Sequence, residues 1–356
     1  MGKFGFIIHP LCINDFRKKF RFAQHLPDKL LKKAMEKLPP IKLSHITGIK
    51  SSGGEAEGYL VAVPLLPQQI LGLPLGFVEN KILKACITAR NLGAEIVGLG
   101  AFTSVVGDKG VSIAQRLDIP VTTGNSYTVA TALEAVRKAC AVTGKALQDS
   151  EVVIIGANGS IGSTCAKILA GETKFMTLVS RDIKKLEKLA AEIMQKTGLA
   201  VHTTNMSVGP LRRADVVITV SSSVDTIIRP EHLKRGAIVC DVARPRDVSA
   251  QVAQKRKDVI IIEGGIVKVP GNAEFSFDLG LPPGTCYACM AETMILAMED
   301  RLEDYSIGGR LETGRVEEIS RLAEKHGFRL AGFRGTDGFV GYDEIGENTK
   351  GYSYKA

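Results

Sequence analysis

Short apolar runs alternate with amphipathic stretches between residues 151 and 267. Strands of a parallel sheet are buried on both faces and therefore read as continuous apolar runs, with helices between them. This pattern predicts a doubly wound parallel sheet of the Rossmann type. The strands are expected in EVVIIG (151–156), KFMTLVSR (174–181), AVHTT (200–204), ADVVITVSS (214–222), GAIVCDVA (236–243) and DVIIIEGGIV (258–267).

A second α/β pattern precedes this region. It comprises strand-like segments at 3–8, 43–50, 58–65 and 94–102, with a helix at 78–92 and a long helix within 121–140. The fold class we predict is therefore α/β, with two domains and C-terminal helices. The predicted divisions are an N-terminal α/β substrate-binding domain (1–125), a Rossmann NADP-binding domain (126–275), a helical segment carrying a candidate nucleophile (276–335) and a polar tail (336–356).

Residues 15–38 form a basic segment with helical character, interrupted near Pro27. Two hypotheses fit the aromatic residues Phe16, Phe20 and Phe22. They could touch a membrane surface, giving a peripheral membrane contact, or they could pack the helix onto the protein with the lysines in solvent.

Bulk properties narrow the class of protein. The 356 residues suit two domains, and 45% hydrophobic with 24% charged residues is an ordinary globular composition. The net charge of +8 indicates either an anionic partner or a bias toward solubility. Seven cysteines without a regular spacing favour a reducing compartment. With no signal peptide or membrane span in sight, we expect a soluble, cytoplasmic protein with no nucleic-acid partner.

The strongest local motif is a GxxGxxG loop that directly follows the strand EVVII and opens a helix. Residues without Cβ let a backbone approach a pyrophosphate, whose charge the helix N-terminus stabilises. We expect cofactor contacts from the loop and from a later strand end. These candidates are Gly156, Asn158, Gly159, Ser160, Ile161, Gly162 and Ser221.

The second strand of this unit ends in Ser180 and Arg181, where NAD-selective sites often carry an acidic residue. A hydroxyl and a guanidinium suit the 2′-phosphate, so NADPH is favoured. Asp182, one residue later, keeps NADH as an alternative. Further strand ends, at 221–223 and at Asp241 to Arg244, are expected at the carboxyl edge of the sheet.

A breaker cluster, Pro282-Pro283-Gly284, precedes CYACMAE at 286–292 and predicts that a helix begins there. Cys289 would lie in its first turn, where the helix dipole stabilises a thiolate. A nucleophilic role and a buried core role both remain open for Cys289. The C-x-x-C pair has no second pair at zinc spacing, so no metal is expected.

Several segments together resemble the long-chain acyl-[acyl-carrier-protein] reductases, which form fatty aldehydes. The resemblance spans about residues 3 to 335. Its segments are FGFIIHPL, LGAFTSVV, TTGNSYT, VVIIGANGSIGS, EGGIVKVPG, ACMAETMILA and EKHGF. The chain departs from that family at Tyr127, where members tend to carry His, and in the tail beyond about 335.

This resemblance implies that Cys289 accepts the acyl group from a thioester and that NADPH then releases it as an aldehyde. The donor would be an acyl carrier protein or coenzyme A, and the basic N-terminal helix would suit an acidic carrier. Asn125 and Ser126, together with Thr123, are candidates for stabilising the oxyanion. Glu292 is a candidate for orienting a partner or moving a proton, with a capping or surface carboxylate as the alternative.

Two other functions remain open. A shikimate- or amino-acid-dehydrogenase-like enzyme would share the two α/β domains but lack a covalent step, so that Cys289 would be dispensable. A sensor or scaffold would bind NADPH without turning over any acyl thioester.

Overall fold

A computed structural model describes residues 1–221, 223, 226–243, 245–335 and 338–340. The strands are β1 (Gly2–Ile8), β2 (Ile41–Ser51), β3 (Gly54–Ala62), β4 (Ile96–Leu99), β5 (Val121–Thr122), β6 (Glu151–Ile155), β7 (Phe175–Val179), β8 (His202–Thr204), β9 (Val216–Thr219), β10 (Ile238–Asp241), β11 (Ile260–Glu263), β12 (Ile266–Lys268), β13 (Gly271–Glu274), β14 (Thr285–Tyr287), β15 (Arg329–Leu330), β16 (Phe333–Gly335) and β17 (Gly338–Val340).

Helices alternate with these strands. They are α1 (Ile13–Lys19), α2 (Asp28–Lys37), α3 (Pro67–Gly72), α4 (Leu75–Asn91), α5 (Val111–Ala114), α6 (Asn125–Val142), α7 (Ser160–Leu169), α8 (Ile183–Thr197), α9 (Val208–Leu211), α10 (Ala250–Lys255), α11 (Ala288–Met298) and α12 (Thr313–His326). Short 3₁₀ turns occupy 21–25, 101–104, 147–149 and 230–232. In the described part of the chain, no helix is both long and apolar enough to cross a membrane.

The chain divides into two compact units. Unit 1 contains residues 1–127, 268–309 and 318–329. Unit 2 contains the described residues within 128–267, 310–317 and 330–356. Most of the segment 276–335, including Cys289, therefore belongs to unit 1 together with the N-terminal strands, whereas its residues 310–317 and 330–335 belong to unit 2.

Unit 2 is built on the sheet predicted from the apolar runs. Six strands pair in parallel in the order β8-β7-β6-β9-β10-β11. Strand β16 pairs antiparallel with β11, and β17 pairs antiparallel with β16 at the edge. This is the strand order of the Rossmann fold, which places the switch in direction between β6 and β9. The predicted α/β fold class is confirmed. Of the predicted tail, the structure describes only Gly338–Val340.

Unit 1 holds a mixed sheet in the order β13-β2-β3-β1-β4-β5. Strands β3, β1, β4 and β5 run parallel, and β2 is antiparallel to β3. Strand β13 is antiparallel to β2 and therefore runs in the same direction as the four parallel strands. The interior strand β1 is apolar from Phe4 to Ile8, where both of its faces are covered. Phe4 and Phe6 lie on one face, while Ile7 lies on the other and joins the core that α4 covers.

Helix α11 covers the opposite face of this sheet at very short range. Three of its residues spaced four apart, Cys289, Thr293 and Ala297, each lie against a glycine. A Cβ on Gly124 would lie 2.2 Å from the Cys289 Cα, one on Gly98 would lie 2.1 Å from the Thr293 Oγ1, and one on Gly2 would lie 1.9 Å from the Ala297 oxygen. Residues spaced by four lie on one stripe of a helix. The glycines therefore set how closely α11 approaches the sheet.

The basic segment after β1 packs as a small helical layer, with the predicted interruption at Pro27 confirmed and a further break at residue 20. Phe16 is buried with Leu31 and Met35 in one apolar cluster, and Phe20 packs against that cluster. The membrane hypothesis is therefore wrong for Phe16, because its ring is enclosed by protein. The side chain of Phe22 lies outside the described residues.

Gly98→Ala should lower the free energy of unfolding by about 1–3 kcal/mol, because the new methyl group would overlap Thr293 and Phe6. Chemical denaturation measures this loss. Gly76→Ala is the matched control, since a Cβ there meets no atom within 4 Å, and its stability should be unchanged or slightly higher. An equal effect of the two substitutions would show that α11 does not depend on a bare backbone at Gly98.

Candidate active site

The candidate nucleophile lies where the breaker cluster predicted it. Helix α11 begins at Ala288, so Cys289 is its second residue, and the prediction of a first-turn position is confirmed. Its side chain is half-buried. At this position the N-terminal N–H groups and the dipole of the helix favour a negative charge on sulfur.

The five buried cysteines are poorer nucleophiles than Cys289, and Cys12 is the exception because it is exposed. Burial raises the pKa of Cys86 and Cys165 to about 12 and that of Cys140 to about 11. Burial also raises the pKa of Cys286 well above its ordinary value. Cys240 is buried too, so that only Cys12 and Cys289 reach the surface. The choice of Cys289 over Cys286 thus has a physical basis, because only a thiolate attacks readily.

The start of helix α6 lies directly against Cys289. Gly124 precedes the helix with a φ of +71°, and its Cα faces the Cys289 backbone. A left-handed residue in such close contact must lack a Cβ. This arrangement brings the N-termini of α6 and α11 together beside the thiol.

Glu292 joins the same two helices from inside the protein. Its carboxylate is fully buried and accepts hydrogen bonds from the Thr122 Oγ1 at 2.5 Å and from the Tyr127 N–H at 2.8 Å. It therefore caps the first turn of α6, not its own helix, and a surface role is excluded. Burial raises the pKa of Glu292, and the hydrogen bonds it accepts oppose that rise.

The hydroxyl groups of Ser126 and Thr123, both candidates for stabilising the oxyanion, form hydrogen bonds within the protein. Ser126 is fully buried; its N–H donates to the Ser306 Oγ at 3.1 Å, and the Ser306 hydroxyl donates to the Ser126 Oγ at 2.7 Å. The Thr123 hydroxyl donates to the Ser306 carbonyl at 2.5 Å. Asn125, the first residue of α6, is 8% exposed. Sequence reasoning missed Ser306, which no motif marks, and Thr122, which its place at a strand end could have revealed.

His9, near the carboxyl end of β1, is a structural residue. Its Nδ1 donates to the Pro10 carbonyl at 3.0 Å and its Nε2 accepts from the Phe102 N–H at 3.1 Å. Burial lowers the pKa of His9 to about 4. Both ring nitrogens are therefore occupied and the ring is neutral at physiological pH, so it offers no proton for catalysis.

In unit 2, the glycine loop folds as the motif predicted. Gly156 has a φ of +82°, and a Cβ on it would lie 2.8 Å from the Val220 oxygen. A Cβ on Gly162 would lie 2.5 Å from the Gly156 oxygen, and Gly159 is the N-cap of α7. The loop thus presents bare backbone at the start of a helix, with Ser160 buried and Ile161 half-buried behind it.

The end of β7 is tied to this loop. The Asn158 Nδ2 donates to the Asp182 carbonyl at 2.8 Å, and the Asp182 carboxylate caps α8 by accepting the Lys185 N–H at 3.2 Å. Arg181 is exposed, and Ser180 is half-buried. The acidic residue at this strand end is therefore engaged in a helix cap, while the guanidinium is accessible.

A second buried acid holds the carboxyl ends of β9 and β10. Asp247 is fully buried, accepts the Ser221 N–H at 3.1 Å and the Ser221 hydroxyl at 2.6 Å, and also accepts the Thr219 hydroxyl. Burial raises the pKa of Asp247. Asp241 accepts the Val248 N–H at 3.0 Å. Ser222 and Arg244, also expected at this edge, lie outside the described residues.

Comparison with known proteins agrees with the fold of unit 2. Residues 138–263 match the family model described as shikimate / quinate 5-dehydrogenase. With the Rossmann strand order and the glycine loop, this match makes the region an NAD(P)-binding domain of the oxidoreductase class. The chain also resembles the L-tryptophan dehydrogenase of Nostoc punctiforme, with 13% identity, a TM-score of 0.42 and coverage of 91% of this chain and 80% of that one.

Two relatives extend the similarity beyond this domain. The aminotransferase PigE of a Serratia species is 30% identical over 339 residues, which cover 92% of this chain. The chain spans only 39% of the length of that relative. The long-chain acyl-[acyl-carrier-protein] reductase of Synechococcus elongatus is 25% identical over 309 residues, covering 82% of this chain and 87% of the reductase.

The buried carboxyl of Glu292 should leave a pH signature in stability. Because the folded state raises the pKa of Glu292, it binds the proton more tightly than the unfolded chain does. The stability that Glu292 contributes should therefore fall as the pH rises above its unfolded pKa, whose ordinary value is 4.5. The wild type should lose stability relative to Glu292→Gln over that rise, as followed by urea denaturation at a series of pH values.

The exposed Glu324 offers a control on the same unit. Glu324→Gln should give no such pH-dependent difference from the wild type. A difference for Glu292→Gln that is constant with pH, or that grows in favour of the wild type, would contradict a raised pKa at Glu292.

Proposed function

We propose that this protein reduces an acyl thioester to an aldehyde, with Cys289 carrying the acyl group and NADPH as the reductant. The observation that carries the proposal is the position of Cys289: a half-exposed thiol in the first turn of α11, against the N-terminus of α6. The extensive similarity to an acyl-[acyl-carrier-protein] reductase supports it. The donor is an acyl carrier protein or coenzyme A thioester.

The first half of the reaction uses the residues around Cys289. Its thiolate attacks the carbonyl carbon of the thioester, and the carbonyl oxygen becomes negative. Helix N-termini stabilise negative charge, and those of α6 and α11 both lie beside the thiol. The carbon–sulfur bond to the donor then breaks, the donor leaves as a thiolate that takes a proton from solvent, and the acyl group remains on Cys289.

Glu292 acts in this proposal as a positioning residue. It reaches the N-terminus of α6 from α11, through the Tyr127 N–H and the Thr122 hydroxyl. Because its carboxylate is fully buried and engaged, it fixes the backbone groups near the thiol instead of exchanging protons with substrate. Asn125 lies beside Gly124 at the start of α6 and remains the candidate for contacting the acyl oxygen.

The residues of unit 2 fit NADPH. The loop at Gly156 and Gly162 has no room for a Cβ, as a backbone approached by a pyrophosphate requires, and α7 begins at its end. Arg181 and Ser180 would hold the 2′-phosphate. Asp247 would position Ser221 at the strand end that lines the crevice. When bound, NADPH supplies the hydride that releases the acyl group as an aldehyde.

The family match of residues 138–263 favours a second candidate function, that of a dehydrogenase without a covalent step. This second function would use the same nucleotide-binding residues but would give Cys289 no chemical role. The two functions therefore differ in what happens to Cys289 when an acyl thioester is present.

Peptide mass spectrometry after incubation with palmitoyl-acyl-carrier-protein or palmitoyl-coenzyme A, without cofactor, should find the acyl group on Cys289. Addition of NADPH should remove it as fatty aldehyde. Cys289→Ser should abolish aldehyde formation, whereas Cys286→Ser, the matched control, should retain most of it because the buried Cys286 does not react. If neither donor acylates Cys289 over a range of chain lengths, the reductase is excluded and the dehydrogenase is favoured.

Arg181→Ala should weaken binding of NADPH about ten-fold or more, in line with the loss of a charge-assisted contact to phosphate, and should leave binding of NADH unchanged. Fluorescence titration of each nucleotide measures this. Lys184→Ala removes a neighbouring exposed charge as a control. Equal weakening of both nucleotides by Arg181→Ala would argue against a 2′-phosphate contact.

A further inference from the structure

Positive charge is concentrated in the helical layer that follows β1. Residues 15–38 contain eight Lys or Arg and three Asp or Glu, so this short segment carries a net +5 of the +8 of the whole chain. Such a concentration in one segment of the chain attracts anionic partners, whereas a bias toward solubility needs no clustering.

The three acids of this segment are used internally. Asp15 accepts the N–H groups of Leu11 and Cys12, both at 2.9 Å, and so caps α1. Asp28 pairs with Arg17 at 2.7 Å. Glu36 accepts the side-chain amide of Gln69 at 2.9 Å, which joins α2 to α3. None of the three is directed at the lysines of α2.

Those lysines form a row. Lys29, Lys33 and Lys37 are spaced four apart on α2, are all exposed, and form no ion pair with any residue that the structure describes. Like charges at this spacing repel one another and slightly destabilise a helix. Lys29 and Lys37 are eight positions apart, or about 12 Å along the helix axis, which exceeds the size of a single phosphate group.

The apolar side of α2 is already occupied. Leu31 and Met35 are fully buried in the cluster with Phe16. A helix that lies in a membrane surface inserts its apolar face among the lipids, and α2 cannot do so while that face is packed on the protein. Apart from Leu30, which is exposed, the accessible side chains of α2 are mainly charged. Recognition through α2 must therefore depend mainly on charge, which favours an acidic protein surface as the partner.

This row belongs to the layer that starts at the edge of the sheet where Cys289 lies. Strands β1, β4 and β5 are parallel neighbours, so their carboxyl ends share one edge. Helix α1 follows the end of β1, and Gly124, which contacts Cys289, follows the end of β5. Two strand spacings of about 4.8 Å place these two ends about 10 Å apart.

We propose that Lys29, Lys33 and Lys37 are the docking row for an acidic helical surface of the protein that carries the acyl thioester. The inference rests on the proposed function and selects a carrier protein over free coenzyme A as the physiological donor. The lysines bind the carrier, and its prosthetic arm delivers the thioester to Cys289 at the same edge of the sheet.

The test compares two double variants. The first combines Lys29→Glu with Lys33→Glu. The control combines Lys188→Glu with Lys196→Glu, which makes the same charge change on the exposed face of α8. Fluorescence anisotropy measures binding of a labelled acyl carrier protein, and mass spectrometry measures acylation of Cys289 by palmitoyl-coenzyme A. The first variant should bind the carrier at least ten-fold more weakly, with unchanged acylation by palmitoyl-coenzyme A. The control should match the wild type in both, and added salt should weaken wild-type binding.

Each other outcome has a distinct meaning. Carrier binding that is unchanged in the first variant, or equally weakened in the control, would overturn the docking row. Loss of binding to vesicles of anionic phospholipid, with carrier binding retained, would assign the row to a membrane and also overturn the proposal. Carrier binding that depends on the lysines, in a protein whose Cys289 is acylated by neither donor, would keep the surface and exclude the reductase.

Discussion

The contact between α11 and three glycines of unit 1 is the constraint on which the candidate site depends. Helices usually pack on a sheet through side chains, with a layer of apolar volume between the backbones. Here Gly2, Gly98 and Gly124 remove that layer along one stripe of α11. The thiol at the start of the helix is consequently held by backbone contacts, which leave far less freedom than the rotamers of intervening side chains would.

Both units use a fully buried carboxylate to hold backbone at the carboxyl edge of a sheet. Glu292 does so at the start of α6, and Asp247 does so at the end of β9. In each case burial raises the pKa of the acid, and hydroxyl or N–H donors offset part of the cost of burying the charge. A satisfied buried network of this kind gives geometric precision more than stability.

The sequence predicted the fold well where one signal dominated. The strands of unit 2 are continuous apolar runs, and the glycine loop and the start of α11 are marked by residues with few conformational alternatives, such as Gly156 and the pair Pro282 and Pro283. The candidate site was harder to predict from the sequence. Ser306 and Thr122 act through contacts between residues more than 150 positions apart. No local sequence pattern predicts such pairs. Glu292 was found, but its local pattern could not reveal that its partner is another helix.

The distribution of the cysteines has a practical consequence for chemical labelling. Five of the seven thiols are enclosed in the protein, while Cys12 and Cys289 are accessible in different degrees. A solvent-borne electrophile applied to the folded protein therefore meets only two reactive positions. Removing Cys12 would leave a single addressable sulfur, so that a fluorophore, a cross-linker or a mechanism-based inhibitor could be directed to α11 without rebuilding the rest of the chain.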